Sequence, residues 1–316
     1  MNLKGKTVLI TGGASGIGKI MGRICLEKGV SDLVIWDVNP DNIRRTEIEL
    51  SGTPGSCAGQ SDENNSDRAK TNVGGDKDRI HAYLVNCADA DIVAETYSRV
   101  VSEVGEVDVL INCAGIGRGN NTFDRQTVQD ISLTMDINAT APMLVALQVL
   151  PDMIKRDRGC VCNIASAAGM LGVPKMSVYC ASKWAVIGWT ESMRIELKMA
   201  RSRVKVMSVA PYFINTGMFD GVQSRIFPIL KPEAVAKKVI KAIEKGKSFK
   251  GIPFPYHFIR FWQGILPLAV FDFIFGRCFG VYSVMDHFTG RRNIQKESLD
   301  IKGKSLPLRQ DIHKAS

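Results

Sequence analysis

An apolar strand pattern, Thr7-Val8-Leu9-Ile10, runs directly into Thr11-Gly12-Gly13-Ala14-Ser15-Gly16-Ile17-Gly18, and this junction constrains the fold more than any other feature of the chain. A strand feeding a tight glycine turn and then a helix opens an α/β unit. In such a unit the backbone can approach a pyrophosphate, whose charge the helix N-terminus favours. Gly12, Ser15, Gly16, Ile17 and Gly18 are therefore candidate cofactor contacts. Their spacing is G-x-x-x-G-x-G rather than G-x-G-x-x-G, and taken alone it also fits an ordinary glycine-rich turn.

The next apolar run, Asp32-Leu33-Val34-Ile35-Trp36-Asp37, ends in an acid, about twenty residues beyond the glycine turn. A carboxylate there accepts hydrogen bonds from the adenosine ribose hydroxyls and repels a 2'-phosphate. No Arg or Lys follows until Arg44, and Ser15 occupies a loop position where a basic residue could have met that phosphate. The pattern points to NAD rather than NADP. The other reading of Asp37 is a strand-end acid that serves only solubility.

Strand-like and helix-like segments alternate from residue 7 to about 245 without a linker-like break, so a single α/β domain is expected. Its architecture is a Rossmann-like doubly wound parallel sheet with helices on both faces and an apolar C-terminal extension. Residues 1–250 form the NAD-binding catalytic domain, with a flexible polar insertion at 51–79; 251–292 form the extension and 293–316 a polar tail. Later elements are expected as a helix around Asp136 to Lys155, a strand at Val161 to Ile164, a helix from Tyr179 to Met199 and a strand at Val204 to Val209.

Between Phe254 and Met285, aromatic and aliphatic residues are interrupted by Arg260, Asp272 and Arg277, with no uninterrupted apolar run long enough to span a bilayer. This stretch reads as an interfacial, membrane-touching surface, with a substrate lid or a subunit contact as the alternatives. Strand and glycine turn begin within ten residues of Met1, so neither a signal peptide nor an amino-terminal anchor is expected. The net charge of +9 comes without a long Lys/Arg run or paired-cysteine motif. Such a balance can favour an anionic membrane surface or nucleic acid equally well; with no nucleic-acid-binding motif, no nucleic-acid partner is expected. Four scattered histidines suggest no metal site, and eight cysteines without a disulfide-like framework suggest reduced, mostly buried thiols.

Tyr179 and Lys183 are four apart, so one helix face presents both. Removing hydride from an alcohol carbon also requires loss of the hydroxyl proton. A phenol can take that proton if its pKa is lowered, and an adjacent ammonium stabilises the phenolate. Ser166, just past a strand, can hold the reacting oxygen beside Tyr179, or can simply cap a turn. Asn112, Ala114 and Gly115 end the fourth strand in a small-residue turn suited to the adenosine side of a cofactor. Asn138, in a helix beginning near Asp136, can hold a water near Lys183 and complete a proton relay, or be an ordinary polar helix residue. Pro211 and Thr216 belong to a loop suited to the nicotinamide end, with Thr216 as a helix cap the alternative.

With T-G-x-x-x-G-x-G at Thr11 to Gly18, N-x-A-G at Asn112 to Gly115, and Ser166, Tyr179 and Lys183, the chain resembles the short-chain dehydrogenase/reductase family over residues 4 to about 245. The resemblance implies that Asn138, Ser166, Tyr179 and Lys183 form a catalytic tetrad, with Tyr179 and Lys183 also touching the cofactor. Tyr179 to Lys183, Pro211 to Phe219 and Ile265-Leu266-Pro267 are similar to the membrane-associated group of retinol dehydrogenases and 17-beta-hydroxysteroid dehydrogenases. That group implies NAD-dependent oxidation of a lipophilic alcohol, retinol to retinal above all, and a peripheral site on the cytosolic face of the endoplasmic reticulum or lipid droplets. A homodimer is expected, and a soluble cytoplasmic location is the alternative. Asn86 stands where many relatives carry an acid that touches adenine, a departure confined to that contact. Steroid oxidation, NADPH-linked carbonyl reduction of a ketone and an inactive cofactor-binding scaffold at a lipid surface are the competing functions.

Overall fold

The computed structural model describes residues 1–52, 76–224 and 227–289. The insertion expected at 51–79 lies largely, and the tail at 293–316 wholly, outside them. Seven strands make one parallel sheet: β1 (Thr7–Thr11), β2 (Asp32–Asp37), β3 (Ile80–Leu84), β4 (Val109–Asn112), β5 (Cys160–Ile164), β6 (Lys205–Pro211) and β7 (Phe249–Ile252). Their order is β3-β2-β1-β4-β5-β6-β7, with Val8 of β1 in register with Leu33 of β2 and Val109 of β4. β1 and β5 are buried at every residue, as apolar runs must be when helices cover both faces.

One face carries α1 (Gly16–Glu27), α2 (Pro40–Leu50) and α7 (Pro232–Glu244), whose Met21, Leu50 and Val239 pack with Val8, Ile10 and Leu33. The other carries α3 (Ala90–Glu103), α5 (Ala141–Lys155) and α6 (Ser177–Met199), whose Val93, Val149 and Met193 pack with Leu9, Trp36 and Leu110. Local sequence starts these helices. The Asn39 side chain accepts from Asn42 N ahead of Pro40, and the Asp89 side chain accepts from Asp91 N and Ile92 N.

The helix expected from Asp136 begins eight residues earlier, at α4 (Val128–Met135), and a π turn over Asp136–Thr140 joins it to α5. The wider turn inserts an extra residue and shifts the apolar stripe, which breaks the helical period in the sequence. The composite Val128–Lys155 is long and apolar enough to cross a membrane, with a mean hydropathy of 1.3. Its Val145, Val149 and Met153 are nevertheless fully buried against the sheet, as in a core helix. β6 also runs two residues further than expected, making Pro211 its last residue, and β7 adds an edge strand that its four residues did not advertise.

The apolar extension folds as α8 (Ile259–Ile265), α9 (Leu268–Phe271) and a π turn over Asp272–Cys278. Tyr256, Ile259 and Phe271 are buried against Met170, Leu171 and Ile187, while Phe254, Phe258, Phe261, Trp262, Ile265, Leu268 and Phe273 are exposed. Gln263 Nε2 donates to Met170 O at 2.7 Å, and Arg260 pairs with Glu191 of α6. The extension is thus docked on the elements that follow β5.

Candidate active site

The order of strands reverses between β1 and β4, and a crevice opens there at the carboxyl ends of the strands. Gly12 must lie close to the exit of β4: its φ is +63°, and a Cβ there would meet Ala114 Cα at 2.9 Å. At Gly18 a Cβ would meet Gly12 O at 2.1 Å, so the helix can start against the turn only with glycine. The Thr11 hydroxyl, which the motif reading passed over, accepts from Cys113 N at 3.1 Å and Ala114 N at 3.2 Å, clamping the β4 exit to β1.

Ser15 stands at the N-cap of α1 but makes no side-chain capping bond, unlike the caps of α2 and α3. Gly12, Ser15, Gly16, Ile17 and Gly18 line the crevice together with Ala114 and Gly115. A helix start left uncapped at a glycine cradle fits a pyrophosphate, and the donor set fits the phosphate half of a dinucleotide.

Asp37 is 8% exposed. Its Oδ2 accepts from Ala14 N and its Oδ1 from Asn39 N, each at 3.1 Å. Burial of this kind does not suit an acid that serves only solubility, and the contact holds the glycine turn beside the end of β2. Neither Asp37, Asn86 nor Asn112 is among the residues lining the crevice. Asn86 is exposed and accepts from Ala88 N. Asn112 is buried, and its Nδ2 donates to Asn163 Oδ1 at 2.8 Å and to Pro142 O at 3.2 Å, binding β4 to β5 from within.

Ser166, Tyr179 and Lys183 face the same crevice from two elements. The Ser166 hydroxyl accepts from Ala168 N at 3.2 Å, so the serine caps the turn after β5 and also lines the crevice. That turn sits tightly on α6, since a Cβ at Gly169 would meet Lys183 O at 2.6 Å. Lys183 Nζ donates to Ile164 O at 3.2 Å and lies 5.8 Å from the centre of the Tyr179 ring. It is the one charged side chain among the described lining residues.

The electrostatics correct the simple expectation of a lowered phenol pKa. Burial pushes the Tyr179 phenol well above its ordinary range, against the opposing pull of the Ser166 hydroxyl. Burial likewise holds Lys183 down to about 8. Desolvation disfavours either charged form, and here it outweighs their neighbours.

Asn138 lies in the π turn and not at a helix start. Its Oδ1 accepts from Ile116 N at 2.8 Å, and its Nδ2 donates to Ile116 O at 2.9 Å and towards Ser182 Oγ at 3.3 Å. The amide therefore fixes the loop after β4 beside Lys183: a Cβ at Gly115 would lie 3.2 Å from Asn138 Oδ1 and 3.4 Å from Lys183 Nζ. Pro211 and Thr216 line the crevice from β6 and the loop beyond it, and Thr216 approaches the would-be Cβ of Gly16 at 3.8 Å.

The remaining wall is apolar. Phe219 meets Tyr179 edge-on at 5.6 Å, and Leu171, Tyr256, Val281 and Val284 are among the other residues of this wall. The last three come from the extension or the residues after it. Sequence reading named none of them singly, giving a substrate lid only as an alternative for the 254–285 stretch, because only the folded chain brings them back over Tyr179; their sole signal was the apolarity of that stretch.

Comparison with known proteins gives consistent findings. The short chain dehydrogenase family model matches residues 54–226. Epidermal retinol dehydrogenase 2 of Mus musculus is 34% identical over 296 residues, covering 92% of this chain and 87% of the relative. Estradiol 17-beta-dehydrogenase 11 of Pongo abelii is 28% identical over 267 residues, covering 84% and 81%. Among solved structures, a short chain dehydrogenase/reductase from Burkholderia phymatum in complex with NAD superposes with a TM-score of 0.69 at 21% identity, covering 84% of this chain and 95% of that one. One from Burkholderia cenocepacia in complex with NADP gives 0.67 at 21%, covering 85% and 97%. At that identity the structures speak for the fold alone.

Proposed function

The chain belongs to the short-chain dehydrogenase family, and from that premise we propose that it oxidises a lipophilic alcohol, retinol to retinal in the first place, with NAD. The observation that carries this reading is the meeting of Ser166, Tyr179 and Lys183 in one crevice, with the glycine cradle at one side and an apolar wall at the other. The names of its relatives, retinol and estradiol dehydrogenases, support a lipophilic substrate. Asp37, buried at the end of β2 beside the glycine turn, supports NAD over NADP by repelling a 2'-phosphate.

NAD, when bound, supplies the hydride acceptor. Gly12, Ser15, Gly16, Ile17 and Gly18 would hold its pyrophosphate, Asp37 its adenosine ribose, and Thr216 and Lys183 its nicotinamide side. Ser166 donates to the substrate oxygen and fixes it beside the phenol. Tyr179 takes the hydroxyl proton as general base. Burial opposes the phenolate that this requires, and Lys183, the cation of the crevice, is the group placed to offset that cost, while Asn138 keeps the loop at Ile116 in place beside it. The wall of Phe219, Tyr256 and Val284 excludes water around the hydrocarbon.

Steroid oxidation is the second reading, favoured by the 28% identity to an estradiol dehydrogenase. We place the protein peripherally at the cytosolic face of the endoplasmic reticulum or at lipid droplets, on the strength of the exposed Phe258, Phe261 and Trp262. We also propose a homodimer, because Leu147 of α5 and Trp184, Ile195 and Met199 of α6 are exposed. The deciding experiment measures initial rates with retinol, estradiol and short alcohols against NAD and NADP. Saturable turnover with NAD and retinol is expected; no turnover with any alcohol and either cofactor overturns the reading.

A further inference from the structure

Behind the catalytic crevice lies a second apolar space that the chemistry above leaves unused. Phe227, Pro255, Ile259, Leu266, Ile274 and Phe275 line it, and it holds about 950 Å³ of empty volume, its mouth included. No charged side chain is among its described lining residues. Leu171, Tyr212, Tyr256 and Val281 line both this space and the crevice of Ser166 and Tyr179, so a partition one side chain thick stands between the two.

The Tyr212 hydroxyl at that partition already has a partner. The Tyr212 hydroxyl donates to Ser224 Oγ at 3.0 Å, and the Tyr212 and Tyr256 rings lie 5.5 Å apart. Protein interiors close-pack, and an apolar void forfeits dispersion in proportion to its size. This space stays open where the extension meets the core, and its apolar lining leaves those contacts to an apolar occupant. On its outer side, Trp262 and Phe279 line it while 44% and 38% exposed, so it opens on the apolar face of the extension.

We propose that this space is a second binding compartment, which takes the hydrocarbon tail of an elongated, uncharged lipid alcohol while the carbon bearing its hydroxyl sits at Tyr179. Tyr212 and Tyr256 form the neck between the two compartments. The placement of the hydroxyl end rests on the dehydrogenase reading; that of the tail rests on the shape and lining of the cavity. Long-chain or polyene alcohols span both compartments, whereas a compact alcohol fills only the first. A charged amphiphile is excluded from the inner one, where no opposite charge waits for it.

Trp262 offers a readout independent of turnover. Two long-chain fatty alcohols are titrated into the purified full chain, one brominated at the far end of its chain and one beside its hydroxyl. The far-end bromine is expected to quench Trp262, assigned by difference from Trp262→Phe, and the bromine beside the hydroxyl is not. Equal quenching by the two, or none at saturation, overturns the compartment. In a second arm, Leu266→Trp fills the space. It is expected to lower kcat/KM for a long-chain alcohol about tenfold more than for a short allylic one, mainly through KM. Equal losses, or no loss, count against the proposal. If the wild type oxidises neither alcohol and far-end quenching persists, the dehydrogenase reading fails and the compartment stands.

Discussion

At the scale of single residues, the site couples two groups that burial drives towards neutrality. Lys183 loses its proton near pH 8 in the folded chain and at its ordinary 10.5 in the unfolded one. Between those values the unfolded chain binds more protons, so stability rises with pH across that window; below it the folded chain bears the full cost of a buried charge. Lys183→Met is therefore expected to be the more stable protein at neutral pH. Its lead should shrink by on the order of 2–3 kcal/mol towards pH ~10, as read by denaturant unfolding of both proteins. Tyr179→Phe keeps the ring packed on Phe219 and deletes the proposed base. Turnover should fall by about 10²–10⁴ while titrated NAD affinity is kept, and near-normal turnover would remove Tyr179 from the chemistry. Asp37 calls for a gentler change than alanine, because it accepts from Ala14 N and Asn39 N. Asp37→Asn with Val38→Arg, at a position 68% exposed, should shift the ratio of kcat/KM values towards NADP. An unshifted ratio in the folded variant would refute the ribose contact.

At the scale of elements, what could be read in advance was what local chemistry dictates. β1 and β2 are apolar runs ended by a glycine turn and an acid, and α2 and α3 begin at side chains that cap them. The π turn around Asn138 was hidden, because its extra residue breaks the period that reveals a helix. β7 was hidden too, since Phe249-Lys250-Gly251-Ile252 becomes a strand only by pairing with β6. In the extension, composition announced an apolar surface but not which residues face out. Phe271, in the same apolar stretch, is buried at 6%, whereas Phe258, Phe261 and Trp262 are exposed. Replacing those three by Gln and sparing Phe271 should reduce co-sedimentation with phosphatidylcholine vesicles at least about tenfold, with binding of the parent protein persisting at high salt. Undiminished binding would move the attachment surface elsewhere.

At the scale of the whole molecule, the sequence motifs named residues on one side of the crevice but none from the distant segment on its far side. Glycine turn, Ser166, Tyr179 and Lys183 carry local signatures, while Tyr256, Val281 and Val284 join them only through the return of a distant segment. The exposed residues of α5 and α6 make their own forecast: Leu147→Glu combined with Trp184→Glu should turn a dimer into a monomer in sedimentation velocity while retinol turnover persists, and an unchanged dimer would exclude this face. The order of the strands has a consequence of another kind. The glycine turn after β1 lines one side of the crevice, while the wall opposite is completed by β6, its loop and the segment beyond β7, on the other side of the reversal. On the proposed assignment, changes within residues 254–289 would reshape the space for the alcohol and leave the glycine turn untouched, so that a new substrate would be written at one end of the chain while the redox partner stays constant at the other.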